Sequence, residues 1–275
     1  MRDYSVEIET SNDYVKSIMI GGGYIAQKLS LNLQNRGLAS SVVASAKDFD
    51  VSSTPEFIFL FINKEEKLPE SVLNFAESIK SKLIIISIDS SCSEDMVKQC
   101  SGKEANYCFV SIYDVYGGSG EGSALESVFA GLKKKKLISY KNDQIIITPI
   151  FVEDVADALC RVAFATQTFK KKFLVTGKDE IPLVGFVQRA GAEAARKFGL
   201  LINPEDGAEE YPETLARHEK IMQRDNSYSL LSWQPEVSLD RGISLALDSI
   251  PVEPQASLPE VKKKTILSPE NLLRI

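Results

Sequence analysis

The sequence predicts an α/β fold in which helices cover both faces of a parallel sheet. Three observations predict it. Short apolar runs recur at residues 17–20, 57–62, 83–87 and 107–112. Amphipathic helical patterns lie between most of them, and alternation at that pitch calls for crossover connections, hence a doubly wound parallel sheet. The first run stops at Gly21-Gly22-Gly23, and a helical pattern with Ile25, Leu29 and Leu33 on one side follows at once, ending near Gly37.

Taken in order, residues 1–16 are polar, lack a clear period and read as an N-terminal extension. Strand one is 17–20 and its helix 24–36. Residues 41–44 read as strand two, and only about a dozen residues separate it from the strand at 57–62, too few for a full crossover helix. Leu68, Val72, Phe75, Ala76 and Ile79 form the stripe of a helix over 67–80. After the strand at 83–87, Ser93 caps a short helix to Cys100, with Glu94 and Asp95 in its first turn. The strand at 107–112 follows, then Gly117-Gly118-Ser119-Gly120, a helix near 123–132, a short strand at 145–147 and a helix from 151 with Val155, Leu159 and Val162 inward. A strand at 173–175 precedes a helix that starts near Pro182 and stops at Gly199. Residues 203–212 read as an acidic loop, and 250–275, with four prolines, as an extended tail. The expected division is a sheet domain from mainly residues 1–165, interleaved with a small C-terminal α/β lobe from mainly 166–248, and the tail at 249–275.

The composition limits the function. A net charge of −6 argues against a nucleic-acid partner, and Lys133–Lys136 reads as a helix cap facing solvent. Cys92, Cys100, Cys108 and Cys160 show no CxxC spacing, so no metal site is expected and the thiols read as buried or incidental. No apolar run approaches the ~18 residues of a membrane helix, no signal-peptide pattern opens the sequence, and the expected location is the cytoplasm.

Gly21-x-Gly23-x-x-Ala26 fits the dinucleotide-binding fingerprint. The first small residue allows a tight turn, the second lets a pyrophosphate approach the backbone, and Ala26 lets helix and strand pack closely. The helix N-terminus offers unpaired N–H groups and a positive dipole end to phosphate. The chain therefore predicts a Rossmann-type sheet with Gly21, Gly23, Tyr24 and Ile25 around NAD or NADP. At the end of strand two, where an acidic residue would bind the adenosine ribose of NAD, stand Ser45-Ala46-Lys47, with Asp48 next. A neutral Ser45 beside Lys47 favours NADP; a small shift of register would restore Asp48 as ribose ligand. The competing reading is a glycine turn that has lost its cofactor.

Four stretches over residues 17–248 resemble the extended short-chain dehydrogenase/reductase family, which includes nucleotide-sugar epimerases, dehydratases and reductases. They are the glycine turn, whose spacing is nearer the atypical branch; Val115-Tyr116-Gly117, similar to the family's VYG at the end of its sixth strand; residues 151–159 (FVEDVADAL), similar to FIYVDDVVEAL; and residues 232–243 (SWQPEVSLDRGI), similar to GWKPKVSLEEGL. The resemblance implies a small-molecule substrate of the nucleotide-sugar type and admits a homodimer.

The departure from the family lies in its chemistry. Members use a Tyr-x-x-x-Lys helix after the fifth strand, in which the lysine lowers the tyrosine pKa. Here about 20 residues separate the two strands, and the single Tyr-x-x-x-Lys match, Tyr24 to Lys28, lies in the glycine-turn helix. Ser87, Ser90 and Ser91 remain at the strand end. The expectation places Ser87 at the cofactor and Ser90 at the reacting oxygen, with turn capping as the plainer role. Tyr113 and Tyr116 flank Asp114 at a strand's C-terminal end, where such folds bind ligands. Tyr116 is the expected acid, Tyr113 and Asp114 the expected substrate contacts, and packing is the plainer role for both tyrosines. His218, the lone histidine, has no GxSxG partner and reads as a surface residue, and Trp233 as packing in the lobe. Three functions stay in play: an NAD(P)-dependent oxidoreductase or epimerase/dehydratase-like protein, a catalytically inactive relative serving as a binding or scaffolding module, and an atypical reductase of another small carbonyl compound.

Overall fold

The computed structural model describes residues 16–48, 54–62, 67–91, 93–117, 123–134, 136–138, 140–199, 203–205, 211 and 217–249. The expected N-terminal extension before residue 16, the glycines at 118 and 120, Cys92, the rest of the acidic loop and the tail beyond 249 lie outside them.

The chain runs β1 (Ser17–Ile20), α1 (Gly23–Asn35), β2 (Ser40–Val43), β3 (Phe57–Ile62), α2 (Glu70–Ser78), β4 (Lys82–Ile88), α3 (Glu94–Ser101), β5 (Asn106–Ile112), β6 (Val115–Tyr116), α4 (Glu126–Lys133), β7 (Lys136–Ile138), β8 (Ile146–Ile147), β9 (Ile150–Phe151), α5 (Val152–Phe164), β10 (Lys172–Val175), β11 (Ile181–Pro182), α6 (Leu183–Phe198), β12 (Asn203–Glu205), α7 (Arg217–Leu231) and α8 (Leu239–Asp248). Six strands form one parallel sheet in the order β10-β5-β4-β3-β1-β2. β2 is one edge, and no helix appears among the described residues between it and β3.

Side-chain alternation along the buried strands divides the core in two. Met19, Phe59, Ile84, Ile86, Cys108 and Val110 face α1 and α5, meeting Leu29, Leu33, Val155 and Leu159. Ile18, Ile20, Ile58, Leu60, Leu83 and Ile85 face the other way onto Val72, Leu73 and Ala76 of α2 and Met96 and Cys100 of α3. Strands covered on both faces read as unbroken apolar runs, which is why they stand out in the sequence. The Ser93 cap of α3 is formed: its side chain accepts the Met96 N–H.

Polar ties set the helices against the sheet. The Lys82 ammonium, 7% exposed, donates to the carbonyls of Val162, Ala163 and Ala165 at 2.6, 2.9 and 2.7 Å, so a cation terminates α5 from inside the protein. Burial lowers its pKa. The Asp154 carboxylate accepts the Glu236 and Val237 N–H groups at 3.0 Å each, joining α5 to the segment before α8. These are two of the four stretches, 151–159 and 232–243, that carry the resemblance in sequence.

The segment 166–248 does not form a separate layer throughout. β10 returns to the main sheet as its second edge, and α7 covers that edge: Leu174 N–H donates to Ser227 Oγ (2.8 Å) and Tyr228 OH to the Thr176 carbonyl (2.7 Å). α6, α8 and the pairs β7–β12 and β8–β11 build the adjoining lobe. The strand expected over 107–112 is β5, which ends at Ile112; Asp114 then takes a left-handed φ of 57°, and β6 pairs separately with β9.

Candidate functional site

A pocket of about 750 Å³ opens over the C-terminal ends of β1, β2, β3 and β4. Its floor is the glycine turn. Gly21, Gly22 and Gly23 all have positive φ, at 77°, 79° and 48°, so the turn needs residues without a Cβ. A Cβ on Gly22 would strike the Phe61 ring at 2.5 Å, whereas one on Gly23 would meet nothing within 4 Å. The chain is thus tight under the turn and open above it. α1 starts there with no side-chain cap and no acidic residue in its first turn, which leaves its first N–H groups for an anion.

The wall changes character along the sheet. At the β2 end stand Ser45, Ala46 and Lys47, with Lys67 beyond β3. Ser45 donates to Asp48 (2.8 Å) and accepts the Lys47 N–H (3.3 Å), so the turn after β2 holds its own shape. At the β4 and β5 end stand Ile88, Val115, Val152, Ser123 and Glu126. Of the residues expected at a cofactor, Gly21, Gly23, Tyr24, Ile25, Ser45 and Lys47 all line this one pocket. Ser87 does not. It is 1% exposed and donates to the Ser90 carbonyl (2.8 Å) beneath the turn.

The expected catalytic and substrate residues need correction. Tyr116 is 1% exposed, packed on Phe129, Phe151 and Phe186, and its hydroxyl donates to the Leu239 carbonyl at 3.4 Å. Gly242 of α8 makes room for that hydroxyl, since a Cβ there would lie 2.2 Å from it. Burial raises the phenol pKa, with Asp154 adding to the shift, so Tyr116 is a core residue and not an acid facing substrate. Ser90, 6% exposed, donates to the Ile88 carbonyl at 3.3 Å and shapes the turn after β4.

Asp114 is not open to a ligand either. Fully buried, it is paired with Lys220 of α7, accepts the Tyr211 hydroxyl (3.0 Å), and accepts both the N–H (2.7 Å) and hydroxyl (3.0 Å) of Thr148. Tyr113 is 2% exposed; its hydroxyl lies 2.8 Å from Ser91 Oγ, and the Lys220 ammonium sits over its ring. The expected substrate cleft beside β4 and β5 is therefore filled at this point by the protein's own charges. Asp89 stands next to it, accepting the N–H groups of Asp114 (3.1 Å) and Ala124 (2.9 Å). Burial, reinforced by the nearby Asp114 charge, pushes its carboxyl up to about 6.

Lys220, Tyr211, Lys82 and Glu126 escaped the sequence reading. Lys220 lies 106 residues from its partner, on a helix with a weak apolar stripe, so no local pattern announces it. His218 lies in α7, with its side chain outside the described residues. Trp233, 7% exposed, packs edge-on against Tyr228.

No protein-family model and no curated protein sequence matches the chain. Solved structures do match in fold. UDP-glucose 4-epimerase of Thermus thermophilus, solved with NAD, is similar at 12% identity and a TM-score of 0.58, over 84% of this chain and 98% of that one. RMD of Pseudomonas aeruginosa, solved with NADPH, is similar at 12% identity and 0.60, over 85% and 98%. MoeE5, solved with UDP-glucuronic acid and NAD, is similar at 11% identity and 0.64, over 84% and 98%. At these identities the likeness establishes a Rossmann-like parallel sheet with flanking helices.

Proposed function

We propose that this chain binds a nicotinamide dinucleotide over Gly21–Gly23 and acts as an oxidoreductase or epimerase/dehydratase-like protein on a nucleotide sugar or a related small carbonyl compound. One observation carries the reading: the glycine turn, the uncapped α1 N-terminus and the β2 end line a single pocket. The residues fit the group, because the space a Gly23 side chain would take is open, which lets a phosphate approach the backbone N–H groups of the turn. The fold neighbours were solved with NAD or NADPH, and MoeE5 with a nucleotide sugar, which supports the same class.

Ser45 and Lys47 would meet the adenosine end. A cation there favours a 2′-phosphate, and a well-made charge-assisted hydrogen bond contributes ~1.5–3 kcal/mol. NADPH is the expected choice, and Lys67, beyond β3, adds a second cation to the pocket lining. When bound, the nicotinamide supplies hydride transfer. The chain's own part is to hold the phosphates at α1 and to shield the ring between Ile88, Val115 and Val152.

A second reading, a non-catalytic binding module, has its own observation. α3 has eight residues and stands where the family's catalytic helix would be, and Tyr116, Tyr113 and Asp114 are all engaged within the protein. Fluorescence titration with NADPH and NADH, followed by NADPH oxidation assays with keto-sugars and small ketones, separates the two. Binding with turnover supports the enzyme, and binding without turnover on any substrate supports the module. No binding of either dinucleotide overturns both.

A further inference from the structure

Three separate stretches of chain meet in the pocket lining at Ile88, the last residue of β4, Val115 of β6 and Ser123 ahead of α4. Asp89, outside that lining, ties all three together. Its N–H donates to the Ile112 carbonyl (2.7 Å), which joins the ends of β4 and β5. Its carboxylate accepts the Asp114 N–H on one oxygen (3.1 Å) and the Ala124 N–H on the other (2.9 Å). Asp114 immediately precedes Val115, and Ala124 immediately follows Ser123. The Ser123 hydroxyl donates to the Val115 carbonyl, so the two tied stretches also meet each other. Asp89 and Asp114 both hold left-handed φ, 49° and 57°, a conformation that persists in such residues where the surroundings fix it.

One N–H on each oxygen suits the ionised carboxylate, which accepts at both. Protonation turns one oxygen into a hydroxyl, a weaker acceptor, and the N–H on that side loses its charge-assisted bond. We infer that Asp89 is a positioning residue for the pocket: ionised, it holds Val115 and Ser123 in the arrangement that seats the dinucleotide, and protonated, it lets that wall go. The inference rests on the proposed dinucleotide reading of the pocket and adds the residue that sets its wall. The surroundings decide when the clamp titrates. Burial, with the Asp114 charge, pushes the Asp89 carboxyl up to about 6, against the pull of its two N–H bonds and of the Lys220 ammonium on α7. Tyr211 donates to the same Asp114 carboxylate, and Glu126 follows Ala124 by two residues on α4. Linkage is reciprocal, so a ligand that needs the clamp closed also lowers the pKa of Asp89.

Calorimetric titration of the full chain with NADP⁺ across pH tests this, with Asp89→Asn alongside. Between about pH 7 and about pH 5 the ionised fraction of a carboxyl titrating near 6 falls to about a tenth. The parent should therefore lose on the order of tenfold more affinity over that range than Asp89→Asn, whose amide does not titrate. The 2′-phosphate of the ligand titrates in the same range, but against both proteins, so the difference between them is the readout. A variant that binds more weakly by the same factor at every pH, or a difference below about twofold, overturns the inference and leaves the dinucleotide reading standing. A parent that binds NADP⁺ at no pH removes the inference together with that reading. If Asp89→Asn does not fold, the parent decides alone through the ¹³C signals of its aspartate carboxyls. The carboxyl with a midpoint near 6 should move to about 5 or below when NADP⁺ saturates the protein, the same tenfold coupling read from the other side. A midpoint that stays in place overturns the inference.

Discussion

Two neighbouring parts of the same sheet edge have opposite characters. Over β1, β2 and β3 the chain is hollow: three left-handed glycines, an uncapped helix start and an empty space above Gly23. Over β5 and β10 it is filled: Asp114 is paired with Lys220, with Tyr211 and Thr148 completing its hydrogen bonds. Both parts lie at the carboxyl ends of parallel strands, where open α/β sheets bind ligands. The difference shows that position in the fold makes a site available, while the side chains supplied from elsewhere in the chain decide whether it stays open. α7 and the residue at 211 bring the occupants of the filled half.

Breaking the filled half should have the largest effect. Lys220→Met leaves the Asp114 carboxylate buried and unpaired, and loss of one partner of a buried ion pair costs about 3–5 kcal/mol. Urea denaturation should show that loss, and Asp114→Asn combined with Lys220→Met should recover part of it. A single variant within ~0.5 kcal/mol of the parent, the usual range for a neutral surface change, would mean that the pair is not what closes this half.

Filling the hollow half comes next. Gly23→Val places a branched side chain in the space above the turn, at a φ of 48° that valine tolerates poorly. NADPH affinity should fall about a hundredfold, equivalent to ~3 kcal/mol. Thermal unfolding without ligand separates strain from lost binding. Unchanged affinity would place the dinucleotide elsewhere.

Asp89 sharpens the comparison through pH. Its folded pKa of about 6 lies above the ~3.9 of an unfolded aspartate. The folded state therefore holds the proton more tightly, so this stabilisation is full below pH ~4 and is lost as the pH rises through about 6. Relative to Asp89→Asn, the parent should lose on the order of 2 kcal/mol across that window. A difference that stays flat with pH would place Asp89 in a more solvated setting.

Tyr116→Phe should have the smallest effect. The bond to the Leu239 carbonyl is long, at 3.4 Å, and the ring packing stays. The expected loss is about 1 kcal/mol or less, with any turnover unchanged. A large drop in turnover would return Tyr116 to the mechanism.

Most of the parallel sheet and the hollow half were legible in the sequence. β1, β3, β4 and β5 are apolar runs because both faces are covered, and the glycine turn is written in consecutive residues. Local periodicity and local backbone geometry carry that kind of information, because the cause and its signal lie within a few residues of each other. The closing of Asp114, the role of Lys82 at the end of α5 and the presence of Glu126 in the pocket lining were decided only in three dimensions. Each depends on residues that folding brings together from distant parts of the chain: Lys220 from 106 positions after Asp114, and the Val162 carbonyl 80 positions after Lys82. A buried charge has no periodic signature of its own, and its partner is chosen by the desolvation it must offset once the elements have packed.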